Sequence, residues 1–160
     1  MKIKNEKLHR IASTAIIYKK VKSEIKYLIT QRSLDENAFP GMWTVPGGTL
    51  EKTDYINLPK TTKDHWYFGL EKSLRGEIRE EVNLEVGKVK YLLDIIFIRP
   101  DGVPVVILSW YCPYKSGKIK YGKDTIDHAW VTVEEAKDYD LIDGILGEIE
   151  EVDKILKEKC

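Results

Sequence analysis

Glu77, Glu80 and Glu81 lie three and four residues apart in the run Glu77-Ile78-Arg79-Glu80-Glu81. On a helix those spacings share one face, so three carboxylates gather on a single patch. Like charges placed this way destabilise a helix unless a cation sits among them. A hard divalent ion such as Mg²⁺ takes carboxylate and carbonyl oxygens and commonly binds a substrate's phosphate oxygens as well. The patch therefore points to phosphate chemistry, with a solvated acidic face as the plainer alternative.

The segment that must position these carboxylates reads as one long amphipathic helix. Trp66, Leu70, Leu74, Ile78 and Val82 recur every four residues, Thr61 or Thr62 offers an N-cap, and Asn83 supplies a left-handed C-cap. Upstream, Ile11 to Tyr18 and Glu24 to Gln31 are two strand-like runs. Loop-forming residues then crowd the span from Asp35 to Gly48, interrupted by Trp43 to Val45. Downstream, Leu92 to Ile98 and Val103 to Tyr111 flank a Pro-Asp-Gly turn. They are apolar enough to predict strands covered on both faces. Trp130 to Val133 predicts a short strand leading into a helix near Glu134, and Ile142 to Lys157 predicts a terminal helix. Helices before and after a central sheet give a single α/β domain over residues 1–160, an α/β/α sandwich.

Taken together, Gly47-Gly48-Thr49-Leu50-Glu51 and Arg75-Gly76-Glu77-Ile78-Arg79-Glu80-Glu81-Val82-Asn83-Leu84 resemble the two halves of the Nudix box. That box runs Gly, five residues, Glu, seven residues, then R-E-apolar-x-E-E-x-G-apolar. In this register Gly48 is the opening Gly, Asp54 stands for the first Glu, and Glu77, Glu80 and Glu81 match the remaining acids. The lead-in Phe39-Pro40-Gly41-Met42-Trp43-Thr44-Val45-Pro46 and the later Asp127-His128-Ala129-Trp130-Val131 are also similar to the family. Three departures stand out. Asp54 and Glu77 are 23 residues apart rather than nine, an insertion of 14 placed at about residues 55–70, which lengthens the loop and adds N-terminal turns to the helix. Gly76 occupies the position of the box's Arg, which in the family tethers the helix to an upstream carboxylate; either Arg75 or Arg79 replaces it, or the tether is absent. Asn83 occupies that of its last Gly.

The resemblance implies a Nudix-type sandwich with a mixed central sheet, and a MutT-like pyrophosphatase that is a cytoplasmic hydrolase dependent on Mg²⁺ (or Mn²⁺). Its substrate would be a nucleoside diphosphate derivative, with a (deoxy)nucleoside triphosphate as one form. The alternative is a catalytically silent Nudix domain that binds a nucleotide or a protein partner. By this resemblance Glu77, Glu80 and Glu81 are metal ligands and catalytic, and the Gly47 backbone carbonyl completes the set. Asp124 is the candidate additional acid, as ligand or general base, with Asp127 as its rival. Arg32 and Trp43 are candidate substrate-binding residues, for a phosphate and a base, although a Trp beside a short strand also suits the core. The inserted His65-Trp66-Tyr67-Phe68 reads as packing at a helix start, with a lid or dimer contact as the alternative. His9 and His128 lack partners at ligand spacing.

Composition narrows the partners. With 26 basic and 26 acidic residues the formal net charge is zero, which excludes the basic footprint of a protein that binds long nucleic acids. Cys112 and Cys160 form no metal-binding or redox spacing, in keeping with a reducing cytoplasm. Residues Met1 to Arg10 carry no apolar signal-like core and no run is long enough to span a bilayer, so no membrane association is expected. A homodimer is compatible with the family.

Overall fold

The computed structural model describes residues 6–159; Cys160 and the first five residues of the charged N-terminal stretch lie outside them. The first two β-rich runs form a hairpin, β1 (Arg10–Val21) and β2 (Glu24–Arg32), closed at Val21↔Glu24. Then come β3 (Trp43–Thr44), β4 (Gly47–Thr49), a 3₁₀ turn at Lys52–Asp54, α1 (Gly69–Val82), β5 (Glu85–Val86), β6 (Lys90–Ile98), β7 (Pro104–Ser116), β8 (Thr125–Val131), α2 (Val133–Ala136) and α3 (Ile145–Glu158).

The strands make one mixed sheet in the order β3-β2-β1-β7-β5. One edge of β1 runs parallel to β7 from Arg10 to Tyr18. Its other edge is shared: β4 pairs antiparallel with Ala12 to Thr14, and β2 pairs with Tyr18 to Val21. Side chains alternate across this sheet, and so do the two cores. Ala15 and Ile17 join Leu28 and Cys112 beneath Leu74, Ile78 and Val82 of α1. Ile16 joins Tyr27, Ile29 and Tyr111 beneath Ile145, Ile149 and Val152 of α3. The architecture is therefore an α/β/α sandwich with a mixed sheet, and burial of both helix stripes holds it together.

Several boundaries differ from those expected. The helix starts at Gly69, not after Thr61 or Thr62, because the inserted residues satisfy their backbone among themselves. Thr62 Oγ1 accepts from the His65 N–H, Thr61 Oγ1 accepts from the Tyr67 N–H, and Trp66 Nε1 donates to the Leu58 carbonyl. Trp66 packs edge-on against Tyr55 with centroids 5.2 Å apart, leaving Tyr67 and Phe68 exposed. The insertion is thus a self-contained loop and adds no turns to α1. Strand β6 is not covered on both faces: among the described residues it pairs with β7 alone, and Ile96 and Ile98 are each 67% exposed. Its apolar run reflects an edge position with one poorly covered face. Gly47 and Gly48, at the end of the span of loop-forming residues, lie in a short strand. β8 begins five residues before Trp130, and α3 begins at Ile145 rather than Ile142. Asn83 does cap α1 in the left-handed conformation, with φ 59°.

Candidate active site

Asn83 ends α1 so that Glu77, Glu80 and Glu81 occupy its last two turns, and those turns lie against β4. Gly48 pairs with Ser13 and so faces the α1 side of the sheet. A Cβ on Gly48 would overlap the Glu77 carboxylate; only glycine lets that side chain lie on the strand. The Gly47 N–H donates to Glu81 Oε2 at 3.3 Å. Gly47 thus places its backbone beside the Glu81 carboxylate.

The loop from Gly117 to Asp124 encloses the other side. Lys120 N–H donates to the Val82 carbonyl, Gly122 N–H to the Glu81 carbonyl, and Asn83 Nδ2 to the Lys118 carbonyl. The first two satisfy carbonyls at the end of α1 that the helix itself leaves unpaired. They also bring Asp124 to the glutamates, where its charge acts on both Glu77 and Glu81. Asp127 is turned elsewhere, accepting from the His128 N–H at 2.7 Å and from Tyr121 Oη at 3.4 Å. Of the two aspartates, the structure brings Asp124 to the glutamates.

Charge accumulates here with little to offset it. Burial, followed by the charges of Glu80, Asp54, Glu51 and Asp124, raises the Glu77 carboxyl from 4.5 to about 7. Burial raises Glu81 to about 8, against the Gly47 N–H and Arg32, which favour its charged form. The Arg32 charge favours ionised Glu81, and this guanidinium is already engaged: Nη2 bonds Glu36 Oε2 at 2.8 Å and Nε bonds the Ala38 carbonyl at 2.9 Å. Glu80 is exposed at the rim. Among the described residues, no three His, Cys, Asp or Glu side chains already close around one point as metal ligands. The donor set nonetheless fits a hard divalent ion: half-buried carboxylates that raise each other's pKa, beside a backbone oxygen, gain from a cation between them.

Other expected residues are placed differently. Trp43 packs edge-on against Tyr139 with centroids 4.8 Å apart, within the core on the α3 side. Neither Arg75 nor Arg79 supplies the missing tether of α1. Arg75 holds Glu71 and the carbonyls of Val86 and Gly87, and Arg79 holds Glu85. The connection is made by Ser73, whose Oγ donates to Asp54 Oδ2 at 2.8 Å. The same oxygen of Asp54 accepts from the Glu51 N–H, closing a capping box over the 3₁₀ turn. Glu51 and Asp54 thus both reach the field of Glu77. Ser73 was not evident as a site residue, yet it lies four residues before Glu77 on the same helix face. The E-x-x-D spacing from Glu51 to Asp54 is a readable cap signal.

A family model described as NUDIX domain matches residues 8–148. The chain belongs to the NUDIX domain family, and its class is that of the nucleotide pyrophosphohydrolases. It is 27% identical over 131 residues to the nucleoside triphosphatase NudI of Klebsiella pneumoniae, covering 76% of this chain and 83% of that protein. NudI of Escherichia coli K12 is 26% identical over the same coverage. Among solved structures, the NUDIX domain of Shewanella oneidensis NrtR complexed with ADP ribose superposes with a TM-score of 0.74 at 18% identity, covering 94% of this chain and 90% of that one. A MutT protein from Methanosarcina mazei Go1 superposes with a TM-score of 0.68 at 21% identity, covering 96% and 99%. These structural likenesses establish the fold.

Proposed function

We propose that the chain hydrolyses the diphosphate linkage of a (deoxy)nucleoside triphosphate or a related nucleoside diphosphate derivative, using Mg²⁺ or Mn²⁺ held by Glu77, Glu81 and the Gly47 carbonyl, with Glu80 at the rim. The observation that carries this reading is the meeting of Glu77 and Glu81 with the Gly47–Gly48 strand, where negative charge is concentrated and nearly unopposed. A bound divalent ion supplies charge neutralisation for phosphoryl oxygens and a lowered pKa for attacking water.

The chain's own residues do the rest. Asp124 acts as general base: it takes a proton from the water as the water's oxygen bonds to phosphorus and the bridging P–O bond breaks. Arg32 sits where a phosphate can displace part of its contact with Glu36, and a guanidinium binds phosphate in bidentate fashion. The Ser73–Asp54 bond holds α1 against the 3₁₀ turn and keeps Glu77 over Gly48. Trp43 braces β3 against Tyr139 in the core rather than stacking on a base.

A panel of nucleoside triphosphates, ADP-ribose and dinucleoside polyphosphates, with products identified by mass, tests the reading. Cleavage to a monophosphate plus pyrophosphate, or to two phosphorylated fragments, supports it. Binding without turnover would transfer the chain to the catalytically silent reading. Two narrower assignments accompany the main one. Homodimerisation is supported by the open edge of β6 with its exposed Ile96 and Ile98, and sedimentation tests it. Placement in the cytoplasm is supported by the buried Cys112, a free thiol pushed up to about 12 by burial. No described helix is long and apolar enough to cross a membrane.

A further inference from the structure

Buried polar groups are hydrogen-bonded with few exceptions, so each exception asks for a physical reason. Ser13 of β1 is such a group. It is 4% exposed, and among the described residues its Oγ has no hydrogen-bond partner. Packing alone would be served by alanine, which fills the next position on the same face of the strand: Ala15 lies beneath α1 as plain hydrocarbon. A hydroxyl buried without a partner costs stability that an alanine would not.

The register places this hydroxyl at the site. Ser13 pairs with Gly48 across β1 and β4. On either side of that pair the Ala15 N–H donates to the Pro46 carbonyl and the Leu50 N–H to the Ile11 carbonyl, each at 2.8 Å. Ser13 and Gly48 therefore fall at a hydrogen-bonded position of the ladder, with Cα atoms about 5.5 Å apart. Both face the α1 side, where the Glu77 carboxylate occupies the place a Gly48 Cβ would take. That puts the carboxylate roughly 5 Å from the Ser13 Cβ. The partner of Ser13 on the other edge of β1 is Leu108, whose side chain has no polar atom. The Ser73 hydroxyl, one turn before Glu77, already donates to Asp54. Among the described residues the Glu77 carboxylate accepts no hydrogen bond. An unpaired donor and an unpaired acceptor thus face each other across one strand pair.

We infer that Ser13 is a positioning residue for the metal site, its hydroxyl being the donor that the Glu77 carboxylate takes when it ligates a divalent ion. This rests on the reading of Glu77 as a metal ligand given above. An ionised carboxylate accepts through two oxygens. With one of them on an ion, the other is left for a donor, and ligating carboxylates are oriented by such outer contacts. Glycine at 48 leaves no side chain between the two groups. A neutral O–H also suits the place better than a lysine or arginine, whose charge would compete with the ion for the same carboxylate.

The test compares the parent with Ser13→Ala, Glu77→Ala and the double variant. Mn²⁺ is titrated calorimetrically into each protein, and each is melted in EDTA. Ser13→Ala should weaken Mn²⁺ binding by about tenfold or more, yet melt in EDTA at or above the temperature of the parent, because it removes a hydroxyl that has no partner there. In the Glu77→Ala background the same change should weaken binding by less than about threefold. Parental Mn²⁺ affinity in Ser13→Ala, an equal loss in both backgrounds, or a lower melting temperature in EDTA would overturn the assignment. The last result would mark Ser13 as a structural hydroxyl. If Glu77→Ala weakens Mn²⁺ binding and Ser13→Ala does not, this inference fails alone. If the parent binds no Mn²⁺, or Glu77→Ala binds it as the parent does, the metal-ligand reading of Glu77 fails and the role of Ser13 falls with it.

Discussion

Replacing Glu81 with Gln removes one negative charge from the end of α1 while keeping an acceptor for the Gly47 N–H. Burial and the charges of Glu77 and Asp124 hold this carboxyl at about 8 against an ordinary 4.5. A carboxyl raised in this way binds its proton in the folded chain at pH values where the unfolded chain has released it. The penalty for ionising it is absent below about pH 4.5 and fully felt above about pH 8, so metal-free stability falls as pH rises through that window. At 1.36 kcal/mol for each factor of ten, the ceiling is about 5 kcal/mol. The strain is shared with Glu77 and eased by local relaxation, so we expect Glu81→Gln to gain about 1–3 kcal/mol at pH 8.5, or roughly 3–10 °C in melting temperature. At pH 5 the gain should vanish. Thermal melts in EDTA at both pH values measure this directly, and a third set in Mg²⁺ should raise the parent but not the variant. Turnover should fall by at least about 100-fold. Equal melting of the two proteins at both pH values, together with parental turnover, would refute the reasoning.

Other perturbations probe the supporting contacts. Gly48→Ala places a methyl group into the Glu77 carboxylate; divalent-ion affinity measured by calorimetry should drop by about 10–100-fold, with the far-ultraviolet circular dichroism unchanged. Ser73→Ala removes the bond to Asp54 and should cost about 1 kcal/mol in urea denaturation, with a fall in kcat and little change in KM. Asp124→Asn should lower kcat by about 100-fold or more if it is the base. Asp127→Asn, whose carboxylate is occupied by the His128 N–H and Tyr121, should leave kcat within about threefold; the reverse ranking would reassign the base.

Much of the scaffold was legible because burial imposes a period. Leu74, Ile78 and Val82 recur at helical spacing and are each 0% exposed, and Asn83 terminates α1 in the conformation its side chain tolerates. The same rule misled at Trp66. It continues the four-residue period, but its indole is held by the Leu58 carbonyl and the Tyr55 ring, and local side-chain bonds from Thr61 and Thr62 outcompete the helix. The apolar run of β6 was misread for a related reason. Composition records how apolar a strand is, whereas edge or centre depends on which strands pair with it.

The candidate site divides along the same line. Sequence by itself determined the family resemblance and the position of Glu77, Glu80 and Glu81 at the end of a helix, because each is set by local spacing, whereas the need for glycine at 48 comes from the Glu77 side chain packed on it. Only the tertiary structure decided which distant groups meet them. It brought Asp124 rather than Asp127 to the glutamates through the loop that pairs with the end of α1. It gave Ser73 and Asp54 the tether that neither Arg75 nor Arg79 provides. It also set Ser13 across from Gly48, on the face where the Glu77 carboxylate lies. Local physics acts within a few residues along the chain. The field and contacts at a site act across several ångströms of space, and only the packed sheet fixes which residues share that space.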